Sequence, residues 1–143
     1  MQPAPSIPDV VPKKAKFAFS VGHVLNDLSA SMWFSYLLVF YHRIVEFSNP
    51  LAGYLLLIGQ VADALATTFI GFESDRTRTG FFRYGRRKTW HLVGVICVLG
   101  SFPFCFNLCV GCEHSALWAQ FIYYTMFIII FQFGWASSQI SHL

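Results

Sequence analysis

Charge is what this sequence has little of. Only 12% of its 143 residues are charged, against about 25% in an ordinary soluble domain. The same chain is 55% hydrophobic and 18% aromatic. A soluble domain this short has no interior large enough for sixteen Phe and four Trp, whereas a bilayer is a solvent that tolerates them. A basic stretch interleaved with aromatic and polar residues is also missing, so the pattern implies no nucleic-acid partner. No small-residue cleavage site follows the first apolar run. That run is interrupted by His23, Asn26 and Asp27 and resumes through Trp33 to Tyr41. It therefore reads as a retained membrane helix, not a cleaved signal peptide. No enzyme activity and no cofactor are expected.

What is present is four stretches near the length of about 20 residues that a hydrocarbon core requires. They run over about 17–41, 51–72, 90–109 and 116–137. The Asn49-Pro50 pair and Gly111 mark turns before the second and fourth. Backbone in lipid must satisfy its own hydrogen bonds, so the spans are expected to be helices and the fold all-α integral membrane. Four of the six prolines fall in the first twelve residues, and residues 1–16 are expected to form a disordered lead-in. Lys13, Lys14 and Lys16 precede the first span, and Arg76, Arg78, Arg83, Arg86, Arg87 and Lys88 lie between the second and third. Only Arg43 lies on the other side. The positive-inside rule then places the N-terminus and the loop 73–89 in the cytosol.

Ionisable and amide groups inside spans are candidate functional groups, because a charge at mid-bilayer costs at least about 2.5 kcal/mol. Asp27 sits in the first span, with His23 one turn before it and Ser31 one turn after. In the second, Gly59, Asp63, Thr67 and Gly71 recur at i, i+4 and form a small, polar strip flanked by Ala62 and Ala66. Asp27 and Asp63 are expected to face a shared cavity that handles a coupling ion or a cationic group. Low dielectric favours a neutral carboxyl, which makes the proton the expected coupling ion. The competing reading is a structural hydrogen bond between helices. His23 could relay protons or sit at the cytosolic interface. In the fourth span Gln132, Trp135 and Gln139 recur at helical spacing beyond Tyr124, and could hydrogen-bond and stack a small polar solute. Packing is the commoner use of such aromatics.

Cys97, Cys105, Cys109 and Cys112 cluster late in the chain. The Cys109–Cys112 spacing lacks the His that a haem attachment needs directly after it, since residue 113 intervenes before His114. No metal site is expected. A lumenal disulfide is possible, and buried thiols acting as small apolar groups are the default.

The most specific pattern is Gly71, Asp75 and Arg76, followed after an expanded stretch by Gly85, Arg86, Arg87, Lys88 and Trp90. It resembles the cytosolic loop between helices 2 and 3 of the major facilitator superfamily. The expansion is similar to that of the glycoside-pentoside-hexuronide:cation symporter branch. The resemblance implies that this loop gates: Asp75 at a helix end would accept from guanidinium groups, and breaking those contacts would let the bundle rock. The simpler alternative is a basic anchor on anionic lipid. The resemblance also covers a Gly shortly before the carboxylate, as in Gly22 and Asp27. Of an Asp-Ala-x-x-Asp pattern it keeps only Asp63, with Thr67 at the second position. It keeps the Trp at Trp135, but an amide, Gln132, stands where those symporters carry an acid. Loss of two cation-site carboxylates puts sodium coupling and sugar binding in question.

The run from Phe133 to Leu143 is similar to an animal branch of the superfamily. That likeness implies import of cysteine into lysosomes and melanosomes, and about a dozen helices in the whole protein. No duplication within the chain supplies the second half that an alternating cavity needs. The expectation is thus an incomplete N-terminal bundle whose partners are a small polar solute, membrane lipid and the remaining helices. A sugar:cation symporter is the rival of the same class. A truncated, non-transporting product that interacts with the full-length transporter is the rival of a different class.

Overall fold

A computed structural model describes residues 12–76, 86–112 and 114–142. Four helices account for most of them: α1 (Lys13–Arg43), α2 (Asn49–Arg76), α3 (Arg86–Cys105) and α4 (Leu117–His142). No strand occurs among the described residues. At about 1.5 Å per residue, even α3 reaches about 30 Å, the thickness of a hydrocarbon core. By length and composition α2, α3 and α4 can each cross a membrane. α1, at 31 residues, is long enough but does not belong to that apolar set. His23, Asn26, Asp27 and four serines dilute it. Of the four expected spans, composition therefore supports three.

The helix ends follow local chemistry. Pro12 precedes α1 with φ −59° and ψ 141°, and its carbonyl accepts from the amides of Ala15 (2.9 Å) and Lys16 (3.2 Å). α1 thus begins four residues before the expected start at 17. Residues 1–11 of the expected lead-in lie outside the described residues. α1 ends at Arg43, and in the turn beyond it Glu46 adopts φ 62°, a left-handed conformation that only a few per cent of non-glycine residues adopt. Pro50 then sits in the first turn of α2, where its missing N–H costs nothing. α3 stops at Cys105, two residues after Pro103, instead of running to 109. Pro103 lies inside its last turn, and beyond the end Asn107 Oδ1 accepts the Leu108 amide at 2.8 Å, a local bond that competes with the helical ladder. The Cys109–Cys112 segment is consequently a loop, turned by Gly111 at φ 84°.

α4 is the hub, packed along α3 and against α2. The α3–α4 crossing is a backbone contact. A Cβ on Gly94 would lie 2.7 Å from the Gly134 carbonyl oxygen, and one on Gly134 would lie 2.6 Å from Cys97 Cβ. Ser137 Oγ donates to the Trp90 carbonyl across the same seam at 2.7 Å. Around this seam the core is aromatic. Trp33 stacks on Phe131 with centroids 5.5 Å apart, and Tyr41 meets Tyr124 edge-on at 4.9 Å. The outside is apolar as well: Phe17, Leu65, Trp118 and Met126 are all at least 60% exposed. A surface of that kind suits lipid or further helices.

Candidate transport pathway

The polar groups of the bundle fall into an interior set and an outward set. Gln132 of α4 anchors the interior set. It is 0% exposed, and neither polar atom of its amide has a hydrogen-bond partner among the described residues. The Trp33 indole N–H of α1 is likewise fully buried and without a partner. The two meet at Gly59 of α2, where a Cβ would overlap the Trp33 ring and stand 3.3 Å from Gln132 Nε2. Glycine at 59 is therefore what lets three helices converge on one point. A second indole–amide couple ties α1 to α4 nearby: Trp135 Nε1 donates to Asn26 Oδ1. Trp135 also stacks on Phe131 and meets Phe34 edge-on.

Asp27, adjacent to Asn26, belongs to the outward set. It is exposed on α1, and the Ser31 hydroxyl donates to its backbone carbonyl at 2.8 Å, not to its carboxylate. His23, one turn earlier, is exposed too. Asp63 is half-buried, and the Thr67 hydroxyl donates to its Oδ1 at a long 3.5 Å. Residues 59, 63, 67 and 71 do not share one environment. Gly59 is buried, Asp63 and Gly71 are half-buried, and Thr67 is exposed. Steps of four overshoot the 3.6-residue turn by about 40° each, so the strip winds around the helix. The buried seam of α2 runs instead through Ala52, Leu55, Gly59, Ala66, Ile70 and Ser74, in steps of three, four, seven, four and four. A similar split occurs in α4, where Gln132 and Trp135 are buried and Gln139 is exposed. Tyr124 donates its hydroxyl to the Asn107 carbonyl at 3.0 Å.

Of the loop that resembles a gate, Asp75 and Arg76 close α2 in exposed positions, and the Arg76 guanidinium lies 5.7 Å from the Phe72 ring centroid. Gly85 lies outside the described residues. Arg86 and Arg87 open α3, their side chains likewise outside the description, and Lys88 follows, exposed. Trp33 and Asn26 were not singled out by the sequence reading. Their signal was the recurrence Asn26, Ser29, Trp33, Leu37 and Phe40, spaced by threes and fours along α1. Cys109 and Cys112 are joined as a disulfide with Cα atoms 5.3 Å apart, so the default of buried thiols applies to Cys105 and not to this pair. Cys97 and Cys105 are free. Among the described residues no cluster of His, Cys, Asp and Glu could hold a metal ion.

Residues 18–143 match the family model for MFS/sugar transport proteins. The chain is 57% identical over 130 residues to human major facilitator superfamily domain-containing protein 12, covering 90% of this chain and 27% of that one. To the mouse protein of the same name it is 52% identical over 140 residues, 97% of this chain and 29% of that protein. An uncharacterized symporter of Synechocystis is 38% identical over 81 residues, 57% of this chain and 14% of that protein. No solved structure matches. The chain spans less than a third of the length of these relatives. The helices are those of an all-α, multi-pass integral membrane protein that is not an enzyme, and the chain belongs to the MFS/sugar transport family.

Proposed function

We propose that this chain is the N-terminal part of a secondary active transporter that moves a small polar solute, with Asp27 in the solute or ion pathway. The observation that carries the reading is the position of Asp27. It lies midway along a membrane-length helix, exposed on the outside of the bundle, with no hydrogen-bond partner for its carboxylate among the described residues. A carboxylate facing hydrocarbon is costly, so this face of α1 belongs against an aqueous cavity shared with the rest of a longer protein. Asp63 with Thr67 is the second polar station. Gln132 and Trp135 of α4 would contribute an amide and an indole to the same pathway, and His23 would serve its N-terminal end on α1. In this reading the proton is the coupling ion, and the residues from Gly71 to Lys88 form the cytosolic gate, with the N-terminus on the same side.

The finer assignment is cysteine as solute, carried into lysosomes and melanosomes. It rests on the animal-branch resemblance and is supported by high identity to the human and mouse relatives. The description of the family as sugar transporters favours one rival, a sugar:cation symporter. Excess sugar and removal of sodium would depress uptake in that case alone. The direct test is Asp27→Asn in the full-length protein. We expect cysteine uptake to fall at least about tenfold, the effect of losing about 1.4 kcal/mol, with membrane abundance unchanged. Normal uptake at matched abundance would remove Asp27 from the pathway.

A further inference from the structure

The opposite end of the bundle from the basic loop holds a cleft of about 500 Å³, whose walls include Glu46, Cys109, His114, Gln120 and Tyr124. Three features set it apart from the apolar surface around it. One wall carries half of the Cys109–Cys112 disulfide. The cleft also gathers a carboxylate from the α1–α2 turn and an imidazole from the α3–α4 loop, both exposed. Glu46 is held at φ 62°, where glycine would be cheaper for the backbone. An outlier of that kind points to a functional constraint on the side chain.

The loop that presents the disulfide is fastened from both flanking helices. Tyr41 of α1 donates its hydroxyl to the Cys105 carbonyl at 2.9 Å. From α4, Tyr124 donates to the Asn107 carbonyl, and Gln120 Nε2 donates to the Cys112 carbonyl at 3.2 Å. The two sulfurs are unequal. Cys109 is 3% exposed and lines the cleft, whereas Cys112 is half-buried.

We propose that this cleft binds a small zwitterionic thiol and that Cys109–Cys112 is its site of covalent capture. Glu46 receives the ammonium group and His114 the carboxylate, which leaves the thiol facing Cys109. The incoming thiol loses its proton to water, and the thiolate attacks the Cys109 sulfur. The bond to Cys112 breaks, its electron pair leaves on the Cys112 sulfur, and water returns a proton there. The product is a mixed disulfide on Cys109 and a free Cys112 thiol, with no outside oxidant or reductant needed. A leaving thiolate at the more exposed Cys112 is the better solvated of the two choices. The ligand class is compatible with the proposed solute, but capture requires only the cleft and is read independently of uptake.

The experiment uses the intact protein in lipid vesicles with the disulfide oxidised. It is treated with L-cysteine or with 2-mercaptoethanol at matched thiolate concentration, acid-quenched, alkylated and mapped by peptide mass spectrometry. We expect the adduct on Cys109, the alkyl label on Cys112, and a rate about fivefold higher for cysteine, the scale of a solvent-accessible ion pair. Glu46→Gln should bring cysteine down to the 2-mercaptoethanol rate. Glu46→Gly, which removes the carboxylate while easing the backbone, should do the same. Excess L-serine, which would fill the cleft in front of Cys109, should slow both thiols, whereas excess ethanol should slow neither. Equal rates for the two thiols in the unaltered protein would overturn the proposal. So would an adduct confined to Cys112, or two free thiols at 109 and 112 before treatment. Parallel cysteine uptake keeps the two readings apart: capture without uptake sinks only the transport assignment, and uptake without capture sinks only this one.

Discussion

The α3–α4 pair and α1 are joined to the bundle in different ways. α3 and α4 touch backbone to backbone, with Gly94 and Gly134 facing each other and Ser137 of α4 donating to the Trp90 carbonyl of α3. α1 reaches its neighbours through large rings and one amide: Trp33 on Phe131, Tyr41 on Tyr124, and Asn26 with Trp135. Small-residue contacts leave little room for sliding, because any displacement drives backbone into backbone. Rings and long side chains can adjust rotamers while keeping contact. The α3–α4 pair is therefore the fixed part of this bundle. α1, which carries Asp27, is the part able to shift.

The largest expected effect attacks the fixed part. Gly134→Val places a branched side chain where even a Cβ would sit 2.6 Å from Cys97 Cβ and 2.9 Å from the Gly94 carbonyl oxygen. Overpacking of this kind costs about 3 kcal/mol, and here the obstacle is partly backbone, which cannot rotate away. We expect a sharply lowered thermal midpoint in detergent and little protein in the membrane. Ser35→Val, at an exposed α1 position, is the matched control and should change stability by no more than about 0.5 kcal/mol. Equal tolerance at both positions would erase the distinction between the two regions.

This contrast also marks where the sequence was informative. Three spans could be read from apolar length, and the family from the Asp75-Arg76 and Gly85–Lys88 pattern, because both signals are local. The end of α3 could not be placed, since the apolar run through Phe106 and Leu108 outlasts the helix, which ends at Cys105. The candidate pathway was only half legible. Asp27 and Asp63 stand out as ionisable groups in apolar surroundings, whatever the fold. Gln132 was visible as an amide, but its junction with Trp33 and Gly59 unites three helices distant in sequence. Nothing within one helix announces that Gly59 is small because an indole from α1 lies against it. The i, i+4 strip on α2 passes from the buried Gly59 to the exposed Thr67, and which residues of α2 face the core depends on neighbours that no single helix reveals.

A smaller effect sharpens the comparison at that junction. Gln132→Leu replaces a fully buried amide, unpartnered at both ends, with an apolar group of similar size. Removing an unsatisfied buried amide should return about 1–2 kcal/mol, so we expect the variant to be at least as stable as the parent. If Gln132 serves the solute, uptake by the full-length protein should nevertheless fall. Higher stability with lower uptake would identify an amide kept for function. Lower stability would mean that the amide is satisfied within the folded protein, and that the junction is structural.

The smallest effect tests the polar tie between the first half of α1 and α4. Trp135→Phe keeps the ring that stacks on Phe131 and removes the N–H that Asn26 accepts. Asn26→Leu removes the other half. Each change should cost about 1 kcal/mol, and a coupling energy of about 0.5–1 kcal/mol should appear when the two are combined. Because α1 leans on side chains, the loss should loosen this helix more than the rest of the bundle. Hydrogen exchange should accelerate in α1 around residues 24–30 and remain slow in α3 near Gly94. Uniform acceleration across α1 and α3 would mean that the four helices open as one unit, and that α1 has no freedom of its own with which to move Asp27.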